Sequence, residues 1–106
     1  MFENPLSNDE ILQKVVQFEA MLSEKSFTFF DVEDYENIID YYIDLELNDK
    51  VLAALDFGLN QFPNDLTLSL IKVDVLNSKQ LVDDSYMLLK SLEQFYPNNI
   101  DVLYNL

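Results

Sequence analysis

Two short strings constrain this chain more than anything else in it: Phe62-Pro63-Asn64-Asp65 and Tyr96-Pro97-Asn98-Asn99. Each is an aromatic residue, a proline, an asparagine and then Asp or Asn, and Pro63 and Pro97 set a 34-residue interval. Proline has no backbone N–H and clashes with the preceding helical turn, so it stops a helix. A helix stop that recurs at this interval points to helix-turn-helix units repeated along the chain. Composition agrees. One glycine, Gly58, and three prolines in 106 residues are too few for the turns of a β-rich fold. The 49% hydrophobic content is enough for a packed core and too much for a disordered acidic tail.

Local signals place the helices. Ser7 reads as the cap of a first helix, with Glu10 three residues on as its capping-box partner. Ile11, Val15, Phe18 and Leu22 then recur at helical spacing, and residues 23–28 read as a loop. Asp31 reads as the cap of a second helix with an acidic first turn and an apolar face of Tyr35, Ile38, Ile39 and Tyr42. After a turn over residues 46–49, a third helix runs to about Phe62 with Val51, Leu52, Leu55, Gly58, Leu59 and Phe62 inward. A fourth spans roughly residues 65–77 and turns Leu66, Leu70, Val73 and Leu76 inward. A fifth spans 82–96, with Tyr86, Leu89, Leu92 and either Phe95 or Tyr96 inward. Ile100, Val102, Leu103 and Leu106 open a sixth.

Charge narrows the function. The formal net charge is −14, and all six basic residues are lysines. Affinity for nucleic acid and for anionic lipid comes largely from clustered Lys and Arg, so neither is an expected partner. If the charge steers anything, it steers a basic partner; otherwise it serves solubility. There is no Cys and no His, which removes thiolate chemistry, disulfides, the usual general base and the commonest transition-metal ligand. Asp31-Val32-Glu33-Asp34 lacks the glycine and the later Glu of a calcium loop, and no glycine-rich loop offers a phosphate cradle. Carboxylates are abundant but nothing marks a polarised pair, so the chain does not read as an enzyme, and no cofactor or metal is expected. The first residues carry no basic-then-apolar leader and no apolar run is long enough to span a bilayer, which gives a cytoplasmic expectation.

Aligned at the same interval, residues 32–65 and 66–99 share Asp40/Asp74, Leu47/Leu81, Asp49/Asp83, Leu55/Leu89, Pro63/Pro97 and Asn64/Asn98. The matches fall on helix stops and core positions. The pattern resembles the tetratricopeptide repeat, W-x2-L-G-x2-Y, then A-x3-F, then P. In the first unit it falls on Tyr35, Ile38, Ile39 and Tyr42, then Val51 and Leu55, then Pro63. In the second it falls on Ser69, Lys72, Val73 and Leu76, then Ser85 and Leu89, then Pro97. Ile39 and Val73 stand where the family has a small residue, Ser69 and Lys72 are polar where it is apolar, and Glu46 and Gln80 occupy turns where it often has glycine. The string from Phe29 to Tyr42 also resembles the start of tetratricopeptide proteins of Bacteroidetes-type bacteria.

The resemblance implies an all-α, right-handed superhelix of antiparallel hairpins, with about five helices and a partial sixth. Residues 1–31 would be a lead-in and preceding helix, 32–65 and 66–99 two repeats, and 100–106 the start of a third. The family binds ligands on the concave face lined by the first helix of each hairpin. That implies Glu33, Glu36, Asn37, Asp40 and Asp44 in one unit, and Leu70, Asp74 and Asn77, with Thr67, Ile71 and Ser78, in the other. Asp40 and Asp74 would form a short acidic ladder. Asn37 sits where some members hold a peptide carboxylate, but the cations that mode requires are absent. The expected function is a non-catalytic protein–protein interaction module, a scaffold or adaptor that binds a basic or amphipathic peptide on an acidic face. The alternative is an acidic mimic occupying a partner's basic, nucleic-acid-binding surface. A solenoid end needs a polar outer face, and Val102, Leu103 and Leu106 would lack cover. The chain would then be the start of a longer array, or would form a homodimer through its C-terminal helix.

Overall fold

Six α-helices and no strand make up the described residues, 8–24 and 26–106, of the computed structural model. In chain order they are α1 (Asn8–Leu22), α2 (Val32–Asp44), α3 (Asn48–Gln61), α4 (Leu66–Ser78), α5 (Val82–Phe95) and α6 (Ile100–Asn105). The fold is all-α. No helix among the described residues is long and apolar enough to cross a membrane. The expected cap Ser7 lies outside the described residues.

The interval between the two prolines reappears in the backbone. Helices α2 and α4 have 13 residues each and α3 and α5 have 14 each. The starts of α2, α4 and α6, at Val32, Leu66 and Ile100, are evenly spaced, and Asn48 and Val82 start α3 and α5 at the same step. The caps keep that step. The Asp31 carboxylate accepts from the Asp34 amide at 2.8 Å, Asp65 from the Leu68 amide at 2.9 Å and Asn99 from the Asp101 and Val102 amides at 2.9 and 3.2 Å. At Asp31 the capping box is closed, because the Asp34 side chain accepts the Asp31 amide at 3.1 Å. Each cap satisfies donors that the first helical turn leaves open.

The turns after α2 and α4 are also copies. The Glu46 amide donates to the Ile43 carbonyl and the Leu47 amide to Tyr42, while the Gln80 amide donates to Asn77 and Leu81 to Leu76. Such 6→1 closures need a left-handed residue. Glu46 and Gln80 supply it at φ 57° and 62°, a region where a residue with a Cβ is strained and glycine is not. Glu24, after α1, is the third such residue, at φ 61°.

The chain divides into two units, up to Val51 and from Leu52 on. In the first, α1 packs on α2. Val15, Phe18, Met21, Phe30, Tyr35, Ile38, Ile39 and Tyr42 are buried. Phe18 meets Phe30 and Tyr42 with ring centroids at 6.5 and 6.3 Å, and Phe30 meets Tyr35 edge-on at 5.5 Å, the tilted geometry that aromatic quadrupoles favour. Tyr42, fully buried, donates its hydroxyl to Glu19 at 2.8 Å, and Lys50 grips the same carboxylate oxygen at 2.8 Å. Lys14 pairs with Asp34 at 3.3 Å.

In the second unit α5 packs against both α4 and α6. Val73, Leu89, Leu92 and Val102 form its buried centre, with Leu66, Leu70, Leu88 and Tyr96 against it. The Tyr96 hydroxyl donates to the Asn64 carbonyl, tying the end of α5 to the loop before α4. Some expected faces differ. Tyr86 is exposed, because its neighbour Ser85 is buried and Leu89 and Leu92 take the inward side, and of Phe95 and Tyr96 it is Tyr96 that packs inward. Leu103 and Leu106 are exposed, whereas Val102, expected to lack cover with them, is fully buried in the α5 cluster. Leu68 and Ser69 are buried, so α4 is covered on more than one side. That is possible because its apolar residues are spread round the helix rather than along one stripe.

Candidate functional site

A cleft of about 260 Å³ opens between α1 and α2, lined by Asn8, Ile11, Asn37, Asp40, Tyr41 and Asp44. Helix α2 builds most of it. Residues three and four apart share a helix side, so Asn37, Asp40, Tyr41 and Asp44 lie along one stripe, opposite the buried Ile38, Ile39 and Tyr42. Helix α1 supplies the other wall. Its register is set by Val15, Phe18 and Met21, which are buried, and this leaves Ile11 and Asn8, about one and two turns nearer its start, at the cleft.

Asn37 is almost wholly buried at 6% exposure, while Asp40 and Asp44 reach solvent and Tyr41 is half-buried. The Asp40 carboxyl is pushed up from the ordinary Asp value, first by desolvation and then by the negative charge of Asp44 one turn on. Among the described residues, the lysine ion pairs go to Asp34, Glu19, Asp56 and Glu93, and none goes to Asp40 or Asp44. The cleft therefore combines two carboxylates lacking a counter-ion, a buried amide, an aliphatic wall at Ile11 and an aromatic ring at Tyr41. Chemically it suits a cationic group on an apolar stem.

The structure brings together three of the eight residues singled out from the sequence, Asn37, Asp40 and Asp44. Glu33, in the first turn of α2, is exposed and Glu36 is half-buried; neither lines the cleft. In the second unit Asp74 and Asn77 are exposed on α4, whereas Leu70 packs against the α4–α5 core. Thr67 and Ser78 are exposed and Ile71 is half-buried. Sequence reasoning did not find Asn8 and Ile11 as cleft residues, because only the docking of α1 on α2 brings them there. Tyr41 carried a signal, since its neighbour Tyr42 already fills the core position.

Two further depressions lie in the second unit. One, of about 340 Å³, sits between α4 and α5 and is lined by Lys72, Leu76, Asp84, Met87 and Leu88. The other, of about 270 Å³, lies beside Asp56, Phe57 and Asn60 on α3. In the first, Lys72 and Asp84 bring opposite charges to the same walls, so it lacks the single-sign field of the α1–α2 cleft. Among the described residues no three His, Cys, Asp or Glu side chains are placed to hold a metal ion. Compared with known protein families, with characterised proteins and with solved structures, the chain matches none.

Proposed function

We propose that this protein is a non-catalytic interaction module of tetratricopeptide type, a scaffold or adaptor, whose α1–α2 cleft receives a basic or amphipathic peptide. The observation that carries the proposal is the convergence of Asn37, Asp40 and Asp44 with Ile11 and Tyr41 on one concave site. The raised Asp40 carboxyl supports it, because a bound cation would relieve both the desolvation and the repulsion from Asp44. The tetratricopeptide reading draws support from helix bounds, caps and left-handed turns that recur at the interval of the two prolines. The cytoplasm is the setting proposed for this binding.

The test is a fluorescence-anisotropy titration with short peptides carrying Lys and Arg among apolar residues, at low and at high salt. Binding should weaken with salt, as expected for a charge-driven contact. Asp40→Lys should weaken it by roughly tenfold or more, since it puts a like charge where the peptide cation sits. Binding indifferent to both salt and Asp40→Lys would refute the proposal. Loss of binding on Asp83→Lys with Asp84→Lys instead, both on α5 and exposed, would favour the acidic-mimic reading.

A further inference from the structure

The α1–α2 cleft is small. Its volume of about 260 Å³ lies below the roughly 300–1,000 Å³ of pockets that enclose a drug-sized ligand. It has room for one side chain of a partner, not for a docked helix. Its charged groups, Asp40 and Asp44, stand one turn apart on the same side of α2, a spacing that leaves about 5–6 Å between Cβ atoms. A group that meets both carboxylates must carry donors that diverge from one centre. The other walls are the aliphatic Ile11, the buried amide of Asn37 and the ring of Tyr41. Tyr41 meets the fully buried Tyr42 edge-on with ring centroids at 5.8 Å, so its ring is a fixed wall. Lys14, one turn after Ile11 on α1, is engaged elsewhere: it pairs with Asp34 at 3.3 Å and lies over the Phe30 ring at 6.0 Å.

We propose that the cleft receives a single arginine side chain of a partner peptide and discriminates against lysine. This inference rests on the reading of the cleft as a peptide site and specifies what enters it. A guanidinium is planar and holds five N–H donors in a fixed fork, so one group donates to Asp40 along one edge and to Asp44 along another. An ammonium is a compact point charge with a single nitrogen to set between the two carboxylates. The guanidinium is also the more weakly hydrated of the two and stacks on aromatic rings. It therefore loses less water on entering a place where desolvation already raises the Asp40 carboxyl, and it gains more from Tyr41. Its methylene stem lies along Ile11 while the charged head meets the aspartates. Free arginine is the poorer occupant, because its own carboxylate would be brought against Asp40 and Asp44; within a peptide that charge is gone.

The probe is a short end-capped peptide of serine and glycine with Leu-Arg-Leu at its centre. It is titrated at low salt into the intact, isotope-labelled protein and followed by NMR, beside versions in which lysine or the neutral isostere citrulline replaces the arginine. Saturable shifts are expected at the amides of Ile11, Asn37 and Tyr41. The lysine peptide should bind about tenfold more weakly, as for the loss of one charge-assisted hydrogen bond, and the citrulline peptide more weakly still. Asp44→Asn should weaken the arginine peptide by about tenfold and the lysine peptide by less, drawing the two affinities together, because the fork then has one charged acceptor. Asp44 is exposed, so circular dichroism should show an unchanged fold; Asp40→Asn is the second variant with the same readout. Equal affinity of the arginine and lysine peptides at those amides overturns the arginine assignment and leaves a general site for basic peptides. Equal affinity of the citrulline peptide overturns the role of charge. If the arginine peptide leaves those amides unmoved while longer peptides rich in Lys and Arg shift them, the single-side-chain proposal fails; if neither shifts them, the peptide reading of the cleft fails with it.

Discussion

Replacing Gln80 with glycine should make this protein more stable, although glycine normally weakens helical proteins. Gln80 sits at φ 62° in the turn after α4, and Glu46 sits at φ 57° in the equivalent turn after α2. A residue with a Cβ is strained in the left-handed region by roughly 1–2 kcal/mol. Glycine removes that strain but adds about 0.4–1 kcal/mol of unfolded-chain entropy to be lost on folding. The hydrogen bonds that close the turn, Gln80 to Asn77 at 3.0 Å and Leu81 to Leu76 at 2.8 Å, are backbone to backbone and survive the change. The net gain is therefore about 0.5–1 kcal/mol. For a chain of this length, that corresponds to about 2–4 °C in the unfolding midpoint. Lys79, one residue earlier, is the control. At φ −90° it has no strain to relieve, so Lys79→Gly should lower stability by about 0.5–1 kcal/mol. Glu46→Gly should also stabilise, with a small further gain from removing a negative charge at a helix C-terminus. Thermal and urea unfolding followed by circular dichroism measure all three. A loss of stability in Gln80→Gly equal to that in Lys79→Gly would refute the left-handed turn and the reasoning with it.

Three further outcomes follow from the same structure. Tyr42→Phe deletes the hydroxyl donor to Glu19, and because Lys50 still holds that carboxylate, urea titration should show a loss of about 1–1.5 kcal/mol. Lys50 and then Tyr42 hold the Glu19 carboxyl below its ordinary value, so its contribution is complete above that value and disappears as pH falls through the lowered one; Tyr42→Phe should show a shallower acid loss. Asp40 has the opposite sign. Its raised carboxyl means that the folded state binds the proton more tightly than the unfolded chain, so stability falls as pH rises from the ordinary Asp value through the raised one. Asp40→Asn should therefore be more stable than wild type at neutral pH and lose that advantage in acid, as read from unfolding midpoints under the two conditions. Finally, Val102 is fully buried in the α5–α6 cluster, so Val102→Ala should cost about 2 kcal/mol, whereas Leu103→Ala, on the exposed side of the same helix, should change the midpoint little.

The ends of the helices are legible in the sequence because they depend on neighbours. Asp31, Asp65 and Asn99 need only the next two or three residues to cap a helix, and Pro63 and Pro97 end one by their own geometry. The spacing of those signals consequently reappears as the spacing of the helices. The faces are less legible. Helix α4 carries Leu66, Leu68, Leu70, Ile71, Val73, Val75 and Leu76, and such a helix gives periodicity no single side to select. Ser69 and Ser85 are buried while Tyr86 and Phe95 are exposed, an order that hydrophobicity alone would reverse. Position within the repeated unit gives the better account of Ser85, since its counterpart one interval earlier, Val51, is also buried.

By itself the sequence determines that this protein is a run of short helices in a regularly repeating register, strongly acidic and without histidine or cysteine. Those properties are local or additive, and each residue carries its share wherever the chain goes. Only the tertiary structure decides which carboxylates act together. Glu19 meets Tyr42 and Lys50 from 23 and 31 residues away and is neutralised. Asp40 and Asp44, on the same helix as Tyr42, face α1 across a cleft where, among the described residues, no lysine pairs with them. The difference lies in how α1 docks, because a direct ion pair needs its charges within about 4 Å and only packing brings residues so distant in sequence to that range.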